Sequence, residues 1–117
     1  MESFTRSVGP SADTGVRLKV MRWPARLRLG HTSAMEGRAI QISPTGVSLL
    51  VPRSVREGER GHVRVDAFIN GNPVRLEANG SIVCCACVGM EGFRISLRFD
   101  NLDEDAMTAI DSLLHAR

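Results

Sequence analysis

Phe93-Arg94-Ile95-Ser96-Leu97-Arg98-Phe99 alternates apolar and polar residues without a break. A helix has no use for a period of two, whereas a strand with one face in a core and the other in water requires it. The pattern recurs along the chain. Ala25, Leu27 and Leu29 alternate with Arg26 and Arg28, and Val63 and Val65 with His62, Arg64 and Asp66. Glu36 to Ser43 reads as a second strand and Val47 to Val51 as a third, stopped by Pro52. A fifth runs from Pro73 to about Val88, with Val74, Leu76 and Ala78 on one face and Gly80 expected at a bulge or bend. Asn70-Gly71-Asn72 predicts a hairpin before it, because Asn and Gly accept positive φ, and Gly89 to Gly92 predicts the turn after it. Six such strands bury more apolar surface closed than open, and closure removes the edges. The expected fold is therefore all-β, a six-stranded antiparallel β-barrel, with one C-terminal helix.

Asn101 or Asp103 can cap that helix, and Asp103, Glu104 and Asp105 place negative charge in its first turn. Met107, Ile110 and Leu114 predict an apolar stripe to lay on the barrel, with Leu113 beside it. At 117 residues the chain suits one domain. Residues 1–15, rich in Ser, Thr, Gly and Pro, are expected to form a flexible N-terminal segment, and residues 16–117 the single barrel domain with its helix.

Several function classes fall away on composition. The longest apolar run, Ile82 to Met90, is far below the ~20 residues that span a bilayer, and no secretory signal precedes the barrel, so no membrane insertion is expected. Cys84, Cys85 and Cys87 crowd onto one strand, where 85 and 87 share a face and 84 points away; with no neighbouring His they read as reduced thiols in a cytosolic core, and cytoplasmic localisation is expected. His31, His62 and His115 are scattered, so neither a catalytic set nor a metal site is predicted, and no cofactor. A net charge of +2, with four Phe, one Trp and no Tyr, leaves no exposed stacking row for DNA or RNA; Phe93 and Phe99 point inward, and Trp23 reads as a barrel plug.

The kind of positive charge is more informative than its sum. Of 15 basic residues only Lys19 is a lysine, so 14 are arginine, whose planar fork grips phosphate or the O6/N7 edge of guanine. A GC-rich genome raises that count by itself, so only the positions carry meaning. Two positions stand before or within the first strand, Arg22-Trp23-Pro24-Ala25-Arg26, and Arg17 lies upstream. Between the second and third strands sits Gln41-Ile42-Ser43-Pro44-Thr45-Gly46. As a bare turn, Gly46 would serve by taking positive φ.

Gln41-Ile42-Ser43-Pro44-Thr45-Gly46 resembles the [Asp/Asn]-x-Ser-x-x-Gly signature of PilZ domains, small bacterial β-barrels that bind cyclic di-GMP. Ser43 and Gly46 match it, and Gln41 stands where the family has a shorter acid or amide. The resemblance covers roughly residues 16 to 115 and implies the same barrel-plus-helix architecture. It also implies an Arg-x-x-x-Arg motif ahead of the first barrel strand that grips guanines and phosphates while the second motif meets the ligand from the other side. Here the literal match is Arg22 with Arg26, overlapping the start of the first strand at Pro24; the upstream register instead uses Arg17, with Lys19 and Arg22 nearby. Both registers stand open. The implied function is that of a non-enzymatic receptor or adaptor that binds cyclic di-GMP through Arg17, Arg22, Arg26, Gln41, Ser43 and Gly46. On binding it orders its N-terminal segment and signals to an unidentified protein partner. The alternative is a PilZ-fold interaction module that has lost the ligand.

Overall fold

Each alternating segment forms a strand in the computed structural model, which describes residues 19–30 and 33–115, with side chains from Arg22 onward. The strands are β1 (Lys19–Leu29), β2 (Met35–Ser43), β3 (Gly46–Val51), β4 (Arg60–Ile69), β5 (Asn72–Cys87) and β6 (Phe93–Phe99), followed by helix α1 (Glu104–Leu114). All pairings are antiparallel, and they close a barrel in the order β1-β2-β3-β6-β5-β4. The expected segment 1–15 and Arg17 lie outside the described residues.

The inward residues are those that the alternation selects. Leu27, Ile42, Leu49, Val63, Val65, Leu76, Ile82, Ile95 and Leu97 are all less than 2 % exposed. Burying a side chain of this size contributes about 1.5–3 kcal/mol, so this row is what holds the sheet shut. Trp23 is half-buried against the same core. The ladder between β1 and β4 stops at Ala25, one residue after Pro24, which offers no N–H to continue it. Asn70 and Gly71 take φ of 54° and 83°, the hairpin geometry that their sequence predicts.

Three expectations need correction. Gly80 is not a bulge: it pairs in unbroken register with Gly61 and Phe99, and the irregularity falls between Ile82 and Cys84. A Cβ on Gly80 would collide with the Arg98 carbonyl of β6, so glycine is there to let two backbones approach. The bulge at Val83 puts Val83 and Cys84 together on the outside, so Cys84 and Cys87 are exposed and only Cys85 packs against the core. The thiols are therefore not core residues as a group. Finally, the helix turns a different stripe inward. Ala106, Ala109, Ile110 and Leu113 are buried while Met107 is 51 % exposed, because small residues let α1 sit close to the barrel. Asp103 caps α1 by accepting from the Ala106 N–H at 2.7 Å. The helix packs on β5 and β2, strands that are not neighbours, and so lies across the barrel rather than along one seam.

Candidate functional site

Two bulges build the outer face of β2. The β1–β2 register shifts between Val20 and Trp23, and the β2–β3 register shifts between Ala39 and Gln41. An extra residue in a strand breaks the in–out alternation. Ile40 and Gln41 consequently both lie on the outer side between buried Ala39 and Ile42, with Arg22 close by at the β1 irregularity. From Gln41 a polar row crosses the barrel in register through Ser48 of β3 and Ser96 of β6 to Cys84 of β5. A second row runs from Ser43 through Gly46 and Arg98 to Ser81.

Two depressions open on this face and share Gln41. One, of about 360 Å³, is walled by Ser43, Thr45, Ser48, Val83, Ser96 and Arg98. The other, of about 510 Å³, lies between Arg22, Ile40, Leu50, Glu91 and Arg94. Arg94 Nη2 donates to Gln41 Oε1 at 3.1 Å, so the residue that departs from the family signature is held by an arginine four strands away in sequence and two away in space.

Ser43 and Gly46 shape the turn. The Ser43 hydroxyl oxygen accepts the N–H groups of Thr45 and Gly46, each at 3.2 Å, and the Thr45 carbonyl accepts from Phe99 N–H at 2.9 Å, pinning the turn to β6. Gly46 does not take positive φ. The turn reading of that glycine is thus corrected: a Cβ would stand 2.5 Å from the Leu97 carbonyl oxygen, and close β3–β6 approach is what demands glycine.

The structure brings Arg22, Gln41, Ser43 and Gly46 to one face but not Arg26. Arg26 pairs across the ladder with Glu36, its Nη2 3.0 Å from Oε2. Glu36 is five residues up β2 from Gln41, about 17 Å at the usual rise of a strand. Arg17 lies outside the described residues. Arg94 and Arg98, which lie far from the motif ahead of β1, line the depressions; their signal in the sequence is outward parity in β6.

The opposite side of the barrel is built differently. Asp66 of β4 accepts from Arg75 Nε at 2.7 Å and lies 3.3 Å from Arg64 Nε. Burial pushes its carboxyl up, but the bonds and charges of Arg75 and Arg64 together hold it below the ordinary carboxylate range. His62 is clamped between Asn79 at 2.9 Å and Glu77 at 3.1 Å, and Arg60 pairs with Asp100. Among the described residues no group of three or more His, Cys, Asp or Glu could hold a metal, and no helix is long and apolar enough to cross a membrane.

Comparison with known proteins agrees with this architecture. The inhibitor of motility MotI/DgrA of Bacillus subtilis superposes with a TM-score of 0.73 at 9% identity, over 88% of this chain and 49% of that one. The chain thus spans about half the length of that relative. The PilZ domain of YcgR from Escherichia coli, solved with c-di-GMP, gives a TM-score of 0.66 at 14% identity, over 88% of this chain and 89% of that one. At such identities these likenesses establish fold alone, and no curated protein matches the chain by sequence. The PilZ domain family itself matches residues 15–116, from just ahead of β1 through the whole barrel and α1, and the chain belongs to that family.

Proposed function

We infer that this protein is a cyclic di-GMP receptor that acts in the bacterial cytoplasm and reports to a protein partner, without catalysis. The observation that carries the reading is the position of Gln41 between two depressions on one outer face, with Ser43 and Gly46 in the family's motif positions and Arg22 on the flank. The dinucleotide lies across β2, β3 and β6, and Arg22 with the chain upstream of it, Arg17 included, supplies cations from one side. Arg26 is assigned to the scaffold, since its fork is occupied by Glu36. Binding changes the order of the segment before β1, and that altered surface is what the partner senses; backbone NMR relaxation with and without ligand tests this step, and equal order in both states removes it.

Isothermal titration with cyclic di-GMP tests the receptor reading, with micromolar affinity or better expected and heat that shrinks as salt rises, because arginine forks meet phosphates. A flat titration at high protein concentration turns the choice to an interaction module. One observation favours that second reading: the Ser43 hydroxyl is engaged by its own turn and Gly46 is required by β6, so both motif residues have structural work independent of a ligand.

A further inference from the structure

Beyond Arg22–Arg26, the Arg-x-x-x-Arg spacing recurs at Arg56–Arg60, at Arg60–Arg64, where Asp100 and Asp66 engage the arginines of the second pair, and in Arg94-Ile95-Ser96-Leu97-Arg98 on β6. On a strand these two arginines and Ser96 share one face, and it is the outer face because Ile95 and Leu97 are buried. Arg94 edges the depression that holds Arg22 and Gln41; Arg98 edges the one that holds Ser43. Neither has a carboxylate partner among the ion pairs of the described residues. The Arg94–Gln41 bond also directs the chemistry of the face. It engages Gln41 Oε1, the only acceptor of that side chain, and so ties Gln41 to the orientation of the Arg94 guanidinium. Arg22, Arg94 and Arg98 around it add cationic donors to the face, with Glu91 the carboxylate at its edge.

Resting on the receptor reading, we propose that Arg94 and Arg98 of β6 are the arginine pair that grips the cyclic dinucleotide, in the place that the N-terminal match gives to Arg26. Each fork takes an acceptor group, a phosphodiester oxygen or the O6/N7 edge of a guanine. Four residues of strand separate their Cα atoms by about 13 Å, a spacing that suits a ligand carrying two acceptor groups set apart. Ser96 lies between them on the same face, with its hydroxyl toward the middle of the ligand. Gln41 is a positioning residue that orients Arg94.

The test is titration calorimetry on the full chain with cyclic di-GMP, GMP and inorganic phosphate at low and high salt, using wild type, Arg94→Ala, Arg98→Ala, Arg94→Lys and Arg26→Ala. Arg94→Ala and Arg98→Ala are each expected to weaken cyclic di-GMP binding about tenfold to a hundredfold, the loss of a charge-assisted bond, and to flatten its salt dependence. Arg94→Lys keeps the charge but loses the fork and should fall between. Arg26→Ala should stay within about threefold of wild type, and GMP and phosphate should bind far more weakly than the dinucleotide. Thermal unfolding by circular dichroism confirms that each variant is folded. If wild type binds cyclic di-GMP and both β6 alanine variants bind it equally well, the assignment to β6 is overturned while the receptor reading stands. If wild type binds no cyclic di-GMP, the receptor reading itself is overturned.

Discussion

Arginine is the dominant cation on both sides of this barrel, yet the two sides use it differently. Around β4 and β5 the guanidinium groups are engaged: Arg75 and Arg64 on Asp66, Arg60 on Asp100, and Arg26 on Glu36 at the neighbouring β1–β2 seam. Across β2, β3 and β6, Arg22, Arg94 and Arg98 edge open depressions without a carboxylate partner among the described ion pairs. Exposed ion pairs of the first kind add little stability each, but they leave no fork for a ligand. The contrast teaches that in an arginine-rich chain the count is uninformative and the state of the fork is what separates scaffold from site.

The largest effect on folding expected of a substitution on the candidate face is one that would blur this contrast. Gly46 lies among ligand-facing residues, but its lack of a Cβ serves β6. Gly46→Ala should destabilise the fold by roughly 1–3 kcal/mol, as forced overpacking against a backbone carbonyl does, in a urea titration without any ligand. Stability within about 0.5 kcal/mol of wild type would move Gly46 from the scaffold to the ligand side.

Arg22 and Arg26 sharpen the contrast directly, because the literal motif pairs them as equals while the upstream register keeps only Arg22. Arg22→Ala should weaken cyclic di-GMP binding by ~1.5–3 kcal/mol, about tenfold to a hundredfold, while Arg26→Ala loses only a surface pair to Glu36. A larger loss at Arg26 than at Arg22 would restore the register inside β1 and undo the division drawn here.

The barrel was legible from residue 25 onward because most of its strand residues keep a period of two, and β6 matches its expected bounds, Phe93–Phe99. What escaped were the places where the period breaks. Nothing in Arg38-Ala39-Ile40-Gln41 announces a bulge, yet the bulge at Ile40 is what puts Ile40 and Gln41 on one face. Gly80 looked like the irregularity in β5, whereas the irregularity lies at Val83, since glycine marks close approach as well as bulges. The helix stripe was misplaced because size was read as burial: Met107 is the larger residue, but Ala106 and Ala109 allow contact. Of the site, Gln41, Ser43 and Gly46 came from local spacing. The Gln41–Arg94 bond spans 53 residues and depends on the strand order β2-β3-β6, which no local pattern encodes.

That bond yields a smaller and more specific test. If Gln41 acts by orienting Arg94, then Gln41→Ala and Arg94→Ala should not add. A double-mutant cycle on cyclic di-GMP affinity should show coupling of about 0.5–1.5 kcal/mol, the net worth of one such hydrogen bond. Independent effects would make Gln41 a contact in its own right.

The smallest effect belongs to the paired side. Asp66 is held below the ordinary carboxylate range: burial alone would raise it, and the hydrogen bonds and charges of Arg75 and Arg64 overcome that. A carboxyl lowered by folding contributes stability above its unfolded value of about 3.9, and that contribution fades as pH falls through the folded value. Asp66→Asn removes the charge and keeps the shape. Its side chain is 39 % exposed, so solvent screening limits the loss to about 0.5 kcal/mol near neutral pH. Urea titrations of wild type and Asp66→Asn should therefore differ slightly at pH 7 and converge as pH falls through the lowered folded value, with the difference shrinking at high salt. Cyclic di-GMP affinity should not change, because β4 faces away from β3 and β6 in the closed strand order. A gap that widened on acidification, or a loss of binding, would mean that Asp66 does more than hold two arginines in place.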